Sequence, residues 1–199
     1  ENQRQREKVA YWTKRSVTIT TNISKFAIAK RFEKFITGKI AANLNPPCIW
    51  GSNNGFIKHT QLQVKSTIPG STKRVAFDDA IVDPNPLVDN LGNPVLDNLN
   101  KPVHKLKYHE TKLTEAAPWT SNQSSEVIEA FADPAKVKTD TYGNEFLEFE
   151  IRSSSSILDN QVPGTILKQG RTIRLYKTDV YKSFGNGQEN GIPITNNVF

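Results

Sequence analysis

Apolar and polar residues alternate in several short segments of this 199-residue chain, and this alternation is the feature that most restricts its fold. The clearest segment follows a turn at residues 140–144, where glutamates separate Leu147, Phe149 and Ile151. A strand with this pattern buries one face and leaves the other in water. Weaker alternation marks residues 56–65, 73–82, 105–113 and 171–182. Many short strands with turns between them predict a mostly β fold, a sandwich or barrel.

One amphipathic helix is predicted near the N-terminus. Asn22 can cap it, and Gly38 can end it. Its apolar residues recur at near-helical spacing, and lysines lie between them, so core packing is favoured over membrane binding. These apolar residues are Ile23, Phe26, Ala27, Phe32, Phe35 and Ile36. A second, shorter helix is predicted at residues 124–132.

The positive charge is concentrated at one end of the chain. The net charge is +6, but residues 1–40 carry +7, which leaves −1 for the other 159 residues. A basic segment suits nucleic acid or an acidic face on a partner subunit. The alternative is a solvated terminal helix. The candidate polyanion-binding residues are Arg4, Arg6, Lys8, Lys14, Arg15, Lys30, Arg31 and Lys34.

A proline-phased repeat of eight residues interrupts the strand pattern at residues 86–103, PLVDNLGN-PVLDNLNK-PV. In each copy a proline and two apolar residues precede Asp-Asn, which favours a turn. The pattern Asp-x-x-Gly-Asn recurs at residues 140–144. Two and a fraction copies are too few for a solenoid, so we predict a protruding loop or a pair of short hairpins, inserted at about 84–104. An interaction arm is favoured over a neutral duplication in a tolerant loop.

The phrase DNLGNPVLDNLNKPV resembles duplicated linkers in virion structural proteins of tailed bacteriophages. The resemblance covers about a tenth of the chain and carries no functional residue with it. It implies assembly with other copies of the chain and with neighbouring structural proteins. It also implies location in a virion that is assembled in the host cytoplasm.

We predict one domain at residues 16–184, with an N-terminal basic arm at 1–15 and an extended tail at 185–199. Apolar residues in the repeat and at the end of the tail would otherwise be left in solvent. They are the predicted subunit contacts, namely Leu87, Val88, Val95, Leu96, Ile192, Ile194 and Phe199.

Motifs for catalysis are missing from the sequence. Cys48 follows two prolines and precedes bulky residues, which favours a buried, inert thiol. His59, His104 and His109 lack metal-site spacing, and no phosphate-binding loop is present. We therefore predict no metal, no cofactor and no enzymatic activity, although an enzyme remains a third class to consider.

No secretion signal or membrane-length apolar run is visible, and a chain without methionine is expected to start at a processed or trimmed end. The basic arm, the repeat arm, the apolar tail and the missing catalytic motifs favour a structural component of a virion or phage-like assembly, such as a capsid, connector or tail protein. The alternative is a nucleic-acid-binding module that uses the basic N-terminal region.

Overall fold

The computed structural model describes residues 24–36, 57–152, 168–187 and 194–199. It confirms a mostly β fold with a helix near the N-terminus. Helix α1 covers residues 24–36. The strands are β1 (Ile57–Ser66), β2 (Arg74–Pro86), β3 (His104–Lys112), β4 (Lys138–Thr139), β5 (Glu145–Ile151), β6 (Thr172–Phe184) and β7 (Ile194–Asn197). Between β3 and β4, α2 (Ser121–Gln123) continues into a π-helical turn (Ser124–Ile128) and α3 (Glu129–Ala132).

Five strands close into a barrel in the order β1, β2, β3, β6, β5 and back to β1. All of these pairs are antiparallel except β3 with β6, which run parallel. Strands β4 and β7 lie outside the closed ring, where β4 extends the sheet from β5 and β7 from β6. Closure pairs the edges that an open sheet would leave exposed.

The barrel interior is filled by the apolar residues that the alternation predicts to point inward. The Phe77 ring packs against Tyr108, with centroids 4.2 Å apart, and meets Phe149 edge to face at 5.3 Å. Val127 and Phe131 of the helical segment between β3 and β4 belong to the same buried cluster. Burying each such side chain stabilises the fold by roughly 1.5–3 kcal/mol relative to exposure.

The helical segment begins at Ser121, three residues before the predicted start. A capping box explains the difference, because the Thr120 and Gln123 side chains each bond the other residue's backbone N–H. This Thr-x-x-Gln signature is readable from sequence. The π-helical turn closes with a bond from the Glu129 N–H to the Ser124 carbonyl.

Helix α1 packs on the outer surface of the barrel. Phe32 and Ile36 are fully buried in a cluster with Ile81 of β2, and Leu113 and Tyr181 border it. A Cβ at Gly185 would lie 2.9 Å from the Phe32 ring, so this position leaves no room for a side chain. Core packing of the helix's phenylalanines is confirmed for Phe32, whereas Phe26 stays exposed.

The described C-terminal segment, residues 194–199, packs along the barrel of the same molecule. β7 pairs with the end of β6, and the Val198 N–H donates to the Val180 carbonyl at 3.0 Å. The Phe199 ring meets Phe131 at 5.2 Å. Within the predicted tail, Ile194–Asn197 thus form a strand of the same molecule, and Val198 and Phe199 continue against its barrel.

Candidate functional site

The octad repeat folds into a compact ring. The Leu87 N–H donates to the Val103 carbonyl at 2.9 Å, the Val95 N–H to the Leu87 carbonyl at 2.8 Å, and the Val103 N–H to the Val95 carbonyl at 2.8 Å. These residues stand at the same place in successive octads. The incomplete third copy therefore closes the ring. An antiparallel bridge spans each turn, Val88 with Pro94 and Leu96 with Pro102, which agrees with the predicted pair of short hairpins. The segment is here called the octad knob (residues 86–103).

The same turn occurs at Asp89, Asp97 and Asp140. In each, the aspartate N–H donates to the carbonyl four residues on, at 2.8–3.0 Å. Its carboxylate accepts the N–H groups two and four residues on, at 2.8–3.0 Å. The N–H from Asn93, above all, lowers the pKa of Asp89. The turn predicted at Asp-Asn in each octad is confirmed.

Each of these turns holds an apolar side chain outward at its third position. Leu91 is 80% exposed, Leu99 is 65% and Tyr142 is 66% exposed. The carboxylate bond to the N–H of that same residue fixes its backbone. The motif therefore holds an exposed apolar side chain in a fixed position, whether that residue is leucine or tyrosine.

The predicted subunit contacts are spread over different environments. Val88 and Leu96 occupy equivalent octad positions and are half exposed, whereas Leu87 and Val95 are partly buried. Ile194 of β7 is exposed, and Phe199 packs on Phe131. Ile192 lies outside the described residues.

A groove of about 560 Å³ separates the octad knob from the turn at residues 140–144. Its floor is formed by the outward residues of β3, β5 and β6, among them Lys105, Phe146 and Tyr176. The Phe146 and Tyr176 rings meet edge to face at 5.8 Å. The Arg174 guanidinium covers Phe146 at 3.7 Å and Lys105 Nζ lies over the Tyr176 ring at 5.4 Å, so Tyr142 is the more open ring of the groove.

The groove lining carries equal numbers of positive and negative side chains, and its cations form ion pairs. Arg174 is held by Glu148, at 2.8 Å from Nη2 and 3.3 Å from Nε, and Lys105 Nζ lies 3.0 Å from Asp179. Partial desolvation acts to raise the pKa of Asp140, but the N–H groups it accepts outweigh this effect and lower it. Ionised carboxylates and paired cations thus share the groove.

Helix α1 carries the described part of the predicted polyanion surface. Of that set, Lys30, Arg31 and Lys34 are exposed on it, and so is Lys25, which was not among the predicted residues. Lys30 Nζ donates to Glu33 Oε2 at 2.7 Å, and this bond raises the pKa of Lys30. The remaining predicted cations, Arg4, Arg6, Lys8, Lys14 and Arg15, lie outside the described residues.

Carboxylates on and beside α1 border a cavity of about 370 Å³, and the carboxylate of Glu110 is buried. Gln61 Nε2 donates to Glu33 at 2.8 Å and to Asp78 at 3.0 Å. Glu110 accepts bonds from Tyr108, Lys112 and Gln123. Burial, followed by the negative charge of Asp78, raises the pKa of Glu110 to about 7.

A polar chain crosses the outer face of β2, β3 and β6. His109 Nδ1 lies 3.2 Å from Asp79 Oδ2, and Nε2 lies 2.6 Å from Ser183 Oγ. Ser183 Oγ is 2.5 Å from the Thr195 hydroxyl of β7. The contacts follow the order of a nucleophilic triad. Ser183 is fully buried under β7, so the arrangement stabilises the strand contacts and offers no open nucleophile.

This row of polar contacts was not predicted from the sequence, because Asp79 and Ser183 lie 30 and 74 residues from His109. Within the part of the chain that the structure describes, no three His, Cys, Asp or Glu side chains form a group that could hold a metal ion. No helix in that part is long and apolar enough to span a bilayer.

The fold and surfaces define a five-stranded β-barrel that carries a basic helix, a turn-rich knob and a groove between that knob and a neighbouring turn. Comparison of this chain with protein-family models, with characterised proteins and with solved structures finds no match.

Proposed function

We propose that this protein binds nucleic acid and that α1 supplies a phosphate-contacting surface. The order of strands and the helix between the third and fourth barrel strands correspond to the arrangement of oligonucleotide- and oligosaccharide-binding barrels. A shared arrangement does not define a function, so the proposal rests on the surface that the barrel carries.

The observation that carries the proposal is the packing of α1 on the barrel. Phe32 and Ile36 fix the helix on the outer face of the barrel, which is the side where β2 and β3 of such barrels hold ligands. Lys25 and Lys34 remain exposed on the helix, as does Lys30, although Lys30 already donates to Glu33. Cations held on a rigid element bind phosphates with less loss of conformational freedom than cations on an unanchored tail.

Affinity for an oligonucleotide, measured by fluorescence anisotropy at 50 and 200 mM salt, tests this proposal. Each phosphate contact on single-stranded nucleic acid contributes a log–log salt slope of about −0.7. We expect the combined substitution of Lys25, Lys30 and Lys34 by glutamine to weaken binding at low salt and to make the slope shallower by up to about 2.

The matched control replaces Lys73, Lys136 and Lys168, which are exposed elsewhere, by glutamine. Both variants lose the same charge, so a general effect of net charge lowers affinity equally in both. The proposal requires a larger loss for the α1 variant. Absence of binding by the unaltered chain at 50 mM salt would refute it.

A second candidate function is that of a structural component in a virion or phage-like assembly. The observation that favours it is the row of exposed apolar side chains on the octad knob, with Leu91 and Leu99 at equivalent turn positions. Exposed apolar residues grouped on one feature often mark protein contacts. The repeat would then present the same contact twice.

Sedimentation velocity separates this candidate from a monomeric binding module. We expect replacement of Leu91 and Leu99 by serine to shift a self-associating chain toward monomer. The control is Phe26→Ser, which removes an exposed apolar group of α1. A monomeric unaltered chain at all concentrations, or equal effects of both variants, would contradict self-assembly through the knob.

A further inference from the structure

The groove between the octad knob and the turn at residues 140–144 has the composition of a site for flat, neutral rings. Tyr142 stands at its edge and Tyr176 on its floor. Lys105 Nζ lies 5.4 Å from the Tyr176 ring centroid. Aromatic faces that open into a groove are the platforms on which unpaired bases stack.

The charge of the groove argues against phosphate as its occupant. The charged residues of the lining are Lys105, Arg174, Asp89 and Asp140, two of each sign. Both cations already have carboxylate partners. A phosphate would therefore gain no surplus positive charge here and would meet two carboxylates. A neutral ring with hydrogen-bonding edges meets no such penalty.

Polar edges for a base are available in the lining. Thr139, Thr141 and Thr178 contribute hydroxyls, and Asn144 contributes a side-chain amide. These groups both donate and accept hydrogen bonds, as base edges require. The volume of about 560 Å³ falls in the usual range of small-molecule sites, roughly 300–1,000 Å³.

The groove and α1 adjoin on one outer face of the barrel. Lys105 belongs to the groove, and Lys107, two residues along β3, pairs with Ile81 of the cluster that anchors α1. Two residues along a strand span about 7 Å, comparable with the distance between neighbouring nucleotides. The groove therefore lies about one nucleotide step along β3 from the strand pair that anchors α1, and a strand of several nucleotides would extend from the groove toward the helix.

We propose that unpaired bases of single-stranded nucleic acid enter this groove and stack on Tyr142 and Tyr176, while α1 contacts the phosphates. This assignment rests on the proposed nucleic-acid-binding function and adds to it the strandedness of the ligand and the location of its bases. The turn that begins at Asp140 holds the Tyr142 backbone, with its N–H donating to the Asp140 carboxylate at 2.9 Å. The platform is thus formed before the ligand arrives.

The test compares a 15-nucleotide thymidine oligonucleotide with an abasic oligonucleotide of the same length and charge. Tyr142→Ala is expected to weaken binding of the thymidine oligonucleotide by about 10-fold or more. Affinity for the abasic oligonucleotide should stay unchanged, because that ligand offers nothing to stack. Tyr142→Phe keeps the ring and should bind like the unaltered protein.

Tyr176→Phe extends the test to the floor of the groove. Its hydroxyl hydrogen bonds with Asp140, so removal of the whole ring could disturb the turn, whereas phenylalanine retains the stacking surface. Affinity within about twofold of the unaltered protein is expected. A far larger loss would mean that the hydroxyl, not the ring, matters here.

The outcomes separate the two proposals. If the unaltered chain binds neither oligonucleotide at low salt, the proposed function fails and the groove assignment fails with it. If it binds both equally, or if Tyr142→Ala weakens both equally, only the groove assignment is overturned. Tyrosine quenching by maltohexaose but by neither oligonucleotide would assign the groove to neutral sugar instead.

Discussion

Glu110 provides a sensitive test of the packing between α1 and the barrel. Its carboxylate is buried, its neighbours include Asp78, and its pKa is raised from 4.5 to about 7. The unfolded chain returns this group to water, where its pKa is ordinary. Glu110→Gln replaces the carboxyl by a neutral group of similar shape and removes this titration from the folded state.

The sign of the pH dependence follows from the direction of the shift. Between pH 4.5 and 7 the folded protein binds the Glu110 proton more tightly than the unfolded chain does. Its contribution to stability is therefore fully present below pH 4.5 and is lost as the pH rises through about 7. A separation of about 2.5 pKa units corresponds to roughly 3 kcal/mol in total.

Between pH 5 and pH 8 the loss should be about 2–3 kcal/mol for the unaltered protein relative to Glu110→Gln. Comparison of the two proteins cancels most other titrations. The raised pKa of Asp78, caused first by burial, acts in the same direction. The negative charge of Glu33 adds to the effect of burial on the pKa of Asp78.

Urea unfolding at fixed ionic strength, followed by tryptophan fluorescence at pH 5, 6, 7 and 8, measures this difference. The denaturant slopes of the two proteins should agree, so that midpoints report stability alone. If the stability difference between the two proteins is the same at pH 5 and pH 8 to within about 0.5 kcal/mol, the account of a buried, proton-retaining Glu110 is wrong.

Two further substitutions test the outer face of the barrel. Ser183→Ala leaves His109 Nε2 and the Thr195 hydroxyl without their shared partner, and we expect a loss of about 1–3 kcal/mol in urea unfolding; an unchanged midpoint would show that the polar chain contributes nothing. Gly185→Ala places a methyl group against the Phe32 ring, with an expected cost of about 1–3 kcal/mol and weaker oligonucleotide binding as α1 shifts; a neutral result in both assays would show that the helix adapts freely.

Helix α1 and the barrel strands were well predicted, because the sequence pattern that indicates each of them lies within the element itself. Strands β1, β2, β3, β5 and β6 coincide with the alternating segments to within a few residues, and α1 with the helical spacing. The turns were predicted from Asp-x-x-Gly-Asn. Gly92 and Gly143 have φ values of 83° and 86°, which is the left-handed geometry that the motif's glycine permits.

Barrel closure could not be predicted in the same way. The parallel pairing of β3 with β6 joins His104 to Ile173 and depends on how the whole sheet coils. Its register also shifts between Leu106 and Tyr108, opposite an insertion in β6 that extends from Leu175 to Val180. Neither feature has a signature in the segment that carries it.

The candidate site was missed for a related reason. Tyr142 and Tyr176 belong to separate segments, and only the barrel places them in one groove. One signal was nevertheless present. Alignment of the three turn motifs puts Tyr142 at the position of Leu91 and Leu99, and the repeated choice of a large apolar residue at an exposed turn position indicates a contact surface.

The octad knob also forms one wall of the groove, with residues other than its exposed Leu91 and Leu99. Leu87, Val88 and Val95 line one side of the groove, and the turn with Tyr142 lies opposite. The first octad thus provides a wall and the second closes the ring that supports it, through the Val95 and Val103 hydrogen bonds. A single octad would lack this support, because the ring needs three equivalent residues. The duplication is therefore explained by the need for a rigid wall beside a binding groove, even if the exposed leucines meet no partner.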